Sequence, residues 1–247
     1  LAVALFKKNI PVAIMDGDFQ FGDVGLALDL QNTFTIKDVI EGLTMLDEFS
    51  LSGYLTEHES GVRVLPAPDR PEYADLVTKE AVNKMIGLLR KKYDYIVVDT
   101  EAGLNEHTIN IVEQADQVLV ITNLEMTALK NTKLLMETLG VLGYLAKARV
   151  IINRADMASV LNAEDAAKIL SAEDPIYIPN DFQICSQSLN LGIPLVINHG
   201  KSDVAKGIFK MAELLSSSQE RELKQPVKQH SLMSKWFTKK RGKGGAE

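Results

Sequence analysis

Short, wholly apolar runs alternate along this chain with longer stretches in which apolar residues return every three or four positions. Val12-Ala13-Ile14-Met15 is apolar throughout and ends in Asp16; residues 61–66, 95–98, 118–121, 150–152 and 176–179 repeat the theme. Runs this short and this apolar predict strands buried on both faces. Helical spacing predicts a strong amphipathic helix at 78–92, with Thr78 as its cap and Glu80 in its first turn, and others at 125–142, 163–171 and 203–215. Shorter helical patterns fall at 23–30 and 36–42, and residues 1–9 read as the end of a helix that opens without a capping residue. Strands alternating with helices predict an α/β fold: a doubly wound, mainly parallel sheet with helices on both faces. One such domain is expected over 1–215, followed by a polar linker at 216–230 and a basic amphipathic tail at 231–247.

Composition narrows the function classes. With 247 residues, 46% of them hydrophobic and 24% charged, the chain can bury a core without disulfides or metals. Its one cysteine, Cys185, excludes a disulfide framework or a cysteine metal site within the chain and fits a reducing cytosol. No apolar run approaches the roughly 18 residues of a membrane-spanning helix. A cytoplasmic protein is therefore expected. The net charge of −6 disfavours DNA as a partner for the whole surface. It is unevenly spread, since Lys228, Lys235, Lys239, Lys240, Arg241 and Lys243 face only Glu247 in the last twenty residues. His58, His107, His199 and His230 show no metal or triad spacing and read as surface or loop residues.

In open α/β sheets ligands bind beyond the C-terminal ends of the strands. Three polar groups are expected there: Asp16-Gly17-Asp18 after the first strand, Asp99 after 95–98 with Gly103 four residues on, and Asn153-Arg154-Ala155-Asp156 after the strand at 150–152. An apolar strand ending in Asp is the Walker B pattern, whose carboxylate holds Mg2+ against phosphate oxygens. The same residues also start turns and cap helices, so a single instance decides nothing. Two in order favour phosphate chemistry.

The ordered set resembles the MinD/ParA family of nucleotide-switch ATPases. Residues 15–24 are similar to its switch I region, 62–67 to its next strand, 94–103 to its Walker B and switch II segment, and 178–181 with 190–196 to its C-terminal nucleotide-side loop. The resemblance covers 1–215 and, over 19–30 and 65–68, is nearest the CpaE/TadZ pilus-assembly branch, whose members often carry a receiver-like domain ahead of the ATPase. It implies ATP and Mg2+ as cofactors, an ATP-dependent homodimer and slow hydrolysis. It gives Asp18 the attacking water, Asp99 the metal and Asp16 a place in the same metal-side cluster. Gly103 lets the backbone approach the γ-phosphate, while Asn153, Arg154, Pro179, Asn180 and Asp181 line the adenine side.

One element of the family pattern is absent: no G-x-x-x-x-G-K-[ST] occurs, so no phosphate-cradling loop is present. Because Leu1 opens mid-helix, the loop is expected upstream of it. Other readings are a nucleotide-independent scaffold that keeps the fold, a MinD-like septum or flagellum placement factor, and a partition ATPase. In the tail, Leu232, Met233, Trp236 and Phe237 fall on one helical face beside Lys235, Lys239, Lys240 and Arg241. This composition suits an anionic membrane surface, and MinD relatives carry a comparable targeting helix.

Overall fold

The computed structural model describes residues 1–7 and 9–224, with side chains as far as 217. The expected tail residues Leu232, Met233, Trp236 and Phe237 lie outside the described residues. The chain divides into two units, Leu1–Glu213 and Leu214–Glu247.

In chain order the first unit opens with α1 (Ala2–Leu5), β1 (Val12–Gly17), α2 (Val24–Ala27), α3 (Ile36–Glu41) and α4 (Glu48–Tyr54). A hairpin of β2 (Thr56–Glu57) and β3 (Arg63–Leu65) follows, then α5 (Lys79–Leu89), β4 (Tyr95–Thr100), α6 (Glu106–Gln114) and β5 (Val118–Thr122). The rest is α7 (Met126–Val141), β6 (Ala148–Asn153), α8 (Ala163–Ile169), β7 (Ile176–Ile178), α9 (Phe182–Leu191), α10 (Leu195–Asn198) and α11 (Asp203–Lys224), which runs on into the second unit.

The strands pair as β2-β3-β1-β4 and as β5-β6-β7, parallel throughout except for β2 against β3. The expected single sheet is thus hydrogen-bonded as two pieces, and β4 and β5 each end one of them. All six residues of β1 are buried, because it lies between β3 and β4 with both faces covered. Its alternating side chains feed two cores. Ala13 and Met15 join Val82, Met85 and Leu89 of α5 and Ile111 of α6. Val12 and Ile14 join Ala2 and Leu5 of α1, Val64, and Ala212 of α11. Below the second sheet piece, Val120 packs with Leu139 of α7 and Val112 of α6. Helix α6 therefore packs on both pieces, through the adjacent residues Ile111 and Val112.

Thr78 caps α5 as its sequence predicts, accepting the Ala81 N–H. Two expectations change. Helix α11 continues to Lys224, taking in 216–224 of the expected linker; no Gly or Pro interrupts that stretch before Pro226. His58 is a loop residue, one of the two expected settings, but a buried one: it is 4% exposed in the β2–β3 turn, with Nδ1 2.7 Å from Ser60 Oγ. No described helix is long and apolar enough to cross a membrane.

Candidate functional site

The parallel register sets Asp16 of β1 opposite Asp99 of β4, and Gly17 opposite Thr100. Both expected carboxylate groups therefore leave the same end of the sheet on neighbouring strands. Asp16 is 1% exposed and turned inward. One oxygen accepts the Asp18 N–H at 3.3 Å and the other accepts the Val24 N–H at 3.1 Å. It acts as the clasp of the loop 16–24. Asp18 lies further out: its Oδ1 accepts the N–H groups of Gln20 and Phe21, while Oδ2 takes no bond from the described residues. Asp99 is exposed at its strand end.

Like charges crowd this end. Burial pushes the Asp16 carboxyl up to about 6, with the charges of Asp99 and Asp18 adding to the rise and the two backbone N–H bonds opposing it. The Asp99 carboxyl is also raised, first by lost hydration and then by the charges of Asp23 and Asp18. Gly103 follows with φ of +100°, a left-handed conformation in which an L side chain is strained. A cavity of about 660 Å³ opens on the β3 side of the loop, bounded by Asp16, Gly22, Lys37, Pro66 and Tyr73. It contains neither Asp18 nor Asp99, so it flanks the carboxylate pair.

The second expected group assembles on the other sheet piece. Asn153 ends β6 in register with Ile178 of β7, and the Ala155 N–H donates to the Ile178 carbonyl. Arg154 has φ of +55°, and its N–H donates to Asn153 Oδ1 at 3.0 Å. The Asn180 N–H donates to Asp156 Oδ1 at 2.6 Å, and Asp181 caps α9 by accepting the Ile184 N–H. Asn153, Arg154, Pro179, Asn180 and Asp181 thus sit at the joined ends of two adjacent strands. Helix α2, after the Asp16–Asp23 loop, packs on α9, after Asp181, and links this group to the first.

The family model described as "AAA domain" matches residues 1–151, more than half of the chain. The chain belongs to this family, in its MinD/ParA division. The septum site-determining protein MinD of Thermotoga maritima is 29% identical over 227 residues, covering 86% of this chain and 79% of that protein. A ParA family ATPase from Chlorobium tepidum superposes with a TM-score of 0.78 at 23% identity, covering 85% of this chain and 88% of the other. MinD of Pyrococcus horikoshii, solved with Mg-ADP, gives a TM-score of 0.74 at 24% identity over 91% of this chain and 90% of that one.

The donor set fits the Mg2+ of this MinD/ParA family. Among the described residues no three His, Cys, Asp or Glu side chains are placed to enclose an ion. Mg2+ instead takes one or two carboxylates beside phosphate oxygens and water. Asp99 is a hard oxygen donor, and a cation beside it relieves the repulsion it meets from Asp23 and Asp18.

The clasp makes a pH prediction. A carboxyl whose folded pKa lies above its unfolded value favours the native state only while protonated. Asp16 should therefore cost the metal-free fold increasingly more between about pH 4 and 6, reaching on the order of 3 kcal/mol above that. Asp16→Asn cannot ionise, so its stability should fall less over this window than the wild type's. Urea unfolding in EDTA at pH 4 to 7 measures the difference, and parallel pH curves would refute it.

Three residues of this region escaped the sequence reading. The Arg154 guanidinium lies 6.0 Å from the Phe182 ring centroid, and Phe182 is exposed. An exposed aromatic directly after Asn180-Asp181 was the available signal. Phe19 is buried and meets the ring of His107 edge-on, at 5.1 Å between centroids. His107 is therefore not a bystander on the surface, and no local pattern pairs it with Phe19, 88 positions away in sequence.

Proposed function

We propose that the chain is most of an ATP-dependent dimerisation switch with slow hydrolysis, which positions a pilus or secretion assembly. The observation that carries this reading is the β1–β4 register, which sets the Asp16–Asp18 loop beside Asp99 at one sheet end. Asp99 would hold Mg2+, which would supply positive charge against the phosphate groups of bound ATP. Asp18 Oδ2 is free to orient the attacking water. Gly103 leaves the following loop without a side chain where the backbone must approach a phosphate. Asn153, Arg154, Pro179, Asn180 and Asp181, with Phe182, would receive the base. The pilus or secretion assignment rests on the likeness of 19–30 and 65–68 to the CpaE/TadZ branch.

A strand and phosphate loop upstream of Leu1 would complete the site. Supporting this, β4 and β5 each carry an unpaired edge among the described residues, and α6 packs beside both. A helix about 10 Å across covers about two strand spacings of ~4.8 Å, so one strand fits between the two edges. Calorimetry on the 247-residue chain and on a chain extended through its upstream codons tests the reading. The extended chain should bind Mg-ATP about 100-fold or more tightly than the shorter one, because it alone has the backbone N–H cradle and lysine. Equal affinity would refute the upstream loop, and no binding by the extended chain would refute the switch.

The tail extends the proposal to an anionic membrane. Each nearby basic residue contributes about 1 kcal/mol, and two tails on one dimer bind better than one. Trp236→Glu should abolish co-sedimentation of the extended chain with anionic vesicles. Unchanged sedimentation would remove the anchor from the reading.

A further inference from the structure

The two loops that carry Asp18 and Asp99 meet through α6. This helix begins just after the Asp99–Asn105 loop, and Asn105 caps it by accepting the Thr108 N–H at 2.7 Å. Two side chains four positions apart on α6 face the Gly17–Phe19 segment. The His107 ring stands edge-on to Phe19, with 88° between the planes. Ile111 Cδ1 lies 3.2 Å from where a Cβ on Gly17 would sit. Residues at i and i+4 share one helix face, so one face of α6 makes both contacts.

The far half of α6 is bolted to α5. Asn83 Oδ1 accepts from Asn110 Nδ2 at 2.9 Å and from Gln114 Nε2 at 2.8 Å. Lys79 pairs with Glu113 at 3.3 Å, and the Arg90 guanidinium donates to the Gln114 carbonyl. These contacts hold the far half of α6, and its first turn, which carries His107, lies outside them. The loop ahead of that turn contains Gly103 in its left-handed conformation. Phe19 is continuous with Asp18 and belongs to the same core as Met15 and Met85.

We propose that His107 is a positioning residue: its contact with Phe19 sets the orientation of Asp18 according to the state of the loop after Asp99. The inference rests on the switch reading for its purpose but not for its geometry. A rearrangement at Gly103 that moves the first turn of α6 moves the His107 ring, and Phe19 is the described side chain whose ring it meets. The contact then displaces the turn in which Asp18 Oδ1 holds the N–H groups of Gln20 and Phe21.

The experiment has two arms. In the 247-residue chain, hydrogen exchange of the Gln20, Phe21 and Val24 amides should accelerate about tenfold in His107→Ala, because these amides are held by the loop's own carboxylates. The β1 amides of Ala13, Ile14 and Met15 should stay unchanged. His107→Phe restores an aromatic ring and should return the loop amides to within about twofold of wild type. In the extended chain, His107→Ala should lower kcat about tenfold with the ATP KM held within about threefold, and His107→Phe should recover kcat. The proposal is overturned if the loop amides are indifferent to His107→Ala, if the β1 amides accelerate equally, or if His107→Phe behaves as His107→Ala. It is also overturned if KM rises in place of a fall in kcat. An extended wild-type chain with no turnover refutes the switch reading instead, and the exchange arm still decides the coupling.

Discussion

Asp18→Ala in the upstream-extended chain is expected to lower ATP turnover by about 100-fold or more while Mg-ATP binding stays within a few-fold of wild type. The expectation follows from the division of labour between the two oxygens of Asp18. Oδ1 is committed to the backbone of Gln20 and Phe21, whereas Oδ2 takes no described bond. A group that orients a nucleophile contributes mainly in the transition state, so its loss lowers kcat and spares ground-state binding. Asp18→Ala also deletes the turn, at a cost of about 1 kcal/mol per lost bond. Asp18→Asn separates the effects, since its amide oxygen can keep the turn while the charge is gone. Turnover should fall in both variants, and thermal stability should fall chiefly in the alanine one. Asp99→Ala should instead weaken Mg-nucleotide binding, because its carboxylate leaves the same sheet end as the Asp16–Asp18 loop. Loss of binding in Asp18→Ala as complete as in Asp99→Ala would refute the assignment.

What was legible in the sequence divides along physical lines. β1 was plain because a strand buried on both faces must be apolar at every position, and its terminal Asp announced the site. Helix α5 was equally plain, since Thr78 and a regular apolar face are local signals. Helix α6 was not anticipated. Its buried side includes the polar Thr108 and Asn110 beside Ile111 and Val112, and burial of polar residues blurs the apolar stripe that periodicity detects. The hairpin strand β2 spans only two residues, too few for alternation to register. At the site, the chemistry of Asp16 was legible but its posture was not. The family resemblance put Asp16 in one metal-side cluster with Asp99, whereas β1 turns Asp16 into the loop as a clasp and leaves Asp18 outermost. That distinction depends on Val24, eight residues away, whose N–H takes the second Asp16 oxygen. The Phe19–His107 contact was out of reach for the same reason, since only the β1–β4 register and the seat of α6 bring the two rings together.

The same chemical change at two glycines should have opposite signs. Gly17 lies between the two aspartates, in register with Thr100. A Cβ there would fall 2.6 Å from the Asp99 carbonyl oxygen, 3.0 Å from Val98 Cγ1 and 3.2 Å from Ile111 Cδ1. The first of these is backbone, held by the β1–β4 ladder, so it cannot step aside as a side-chain tip would. Gly17→Ala must therefore part β1 from β4 or push α6 outward, and overpacking of a buried strand on this scale costs about 3 kcal/mol. Gly87 lies in the last turn of α5, on its exposed side, with nothing within 4 Å of its would-be Cβ. Gly87→Ala there removes backbone freedom from the unfolded chain and should stabilise the protein by about 1 kcal/mol. Urea midpoints of the two variants measure both changes in one experiment. A Gly17→Ala midpoint at or above the wild type's would refute the tight β1–β4 approach, and a lowered Gly87→Ala midpoint would refute the gain from the unfolded chain. The midpoint of Gly17→Ala also bears on function, because the strands that the extra methyl forces apart are those that set Asp18 and Asp99 side by side. A variant that folds with an unshifted midpoint yet loses Mg-ATP turnover would locate the strain in the loop and not in the ladder. A large shift would show that the geometry of the site and the stability of the sheet depend on the same contact.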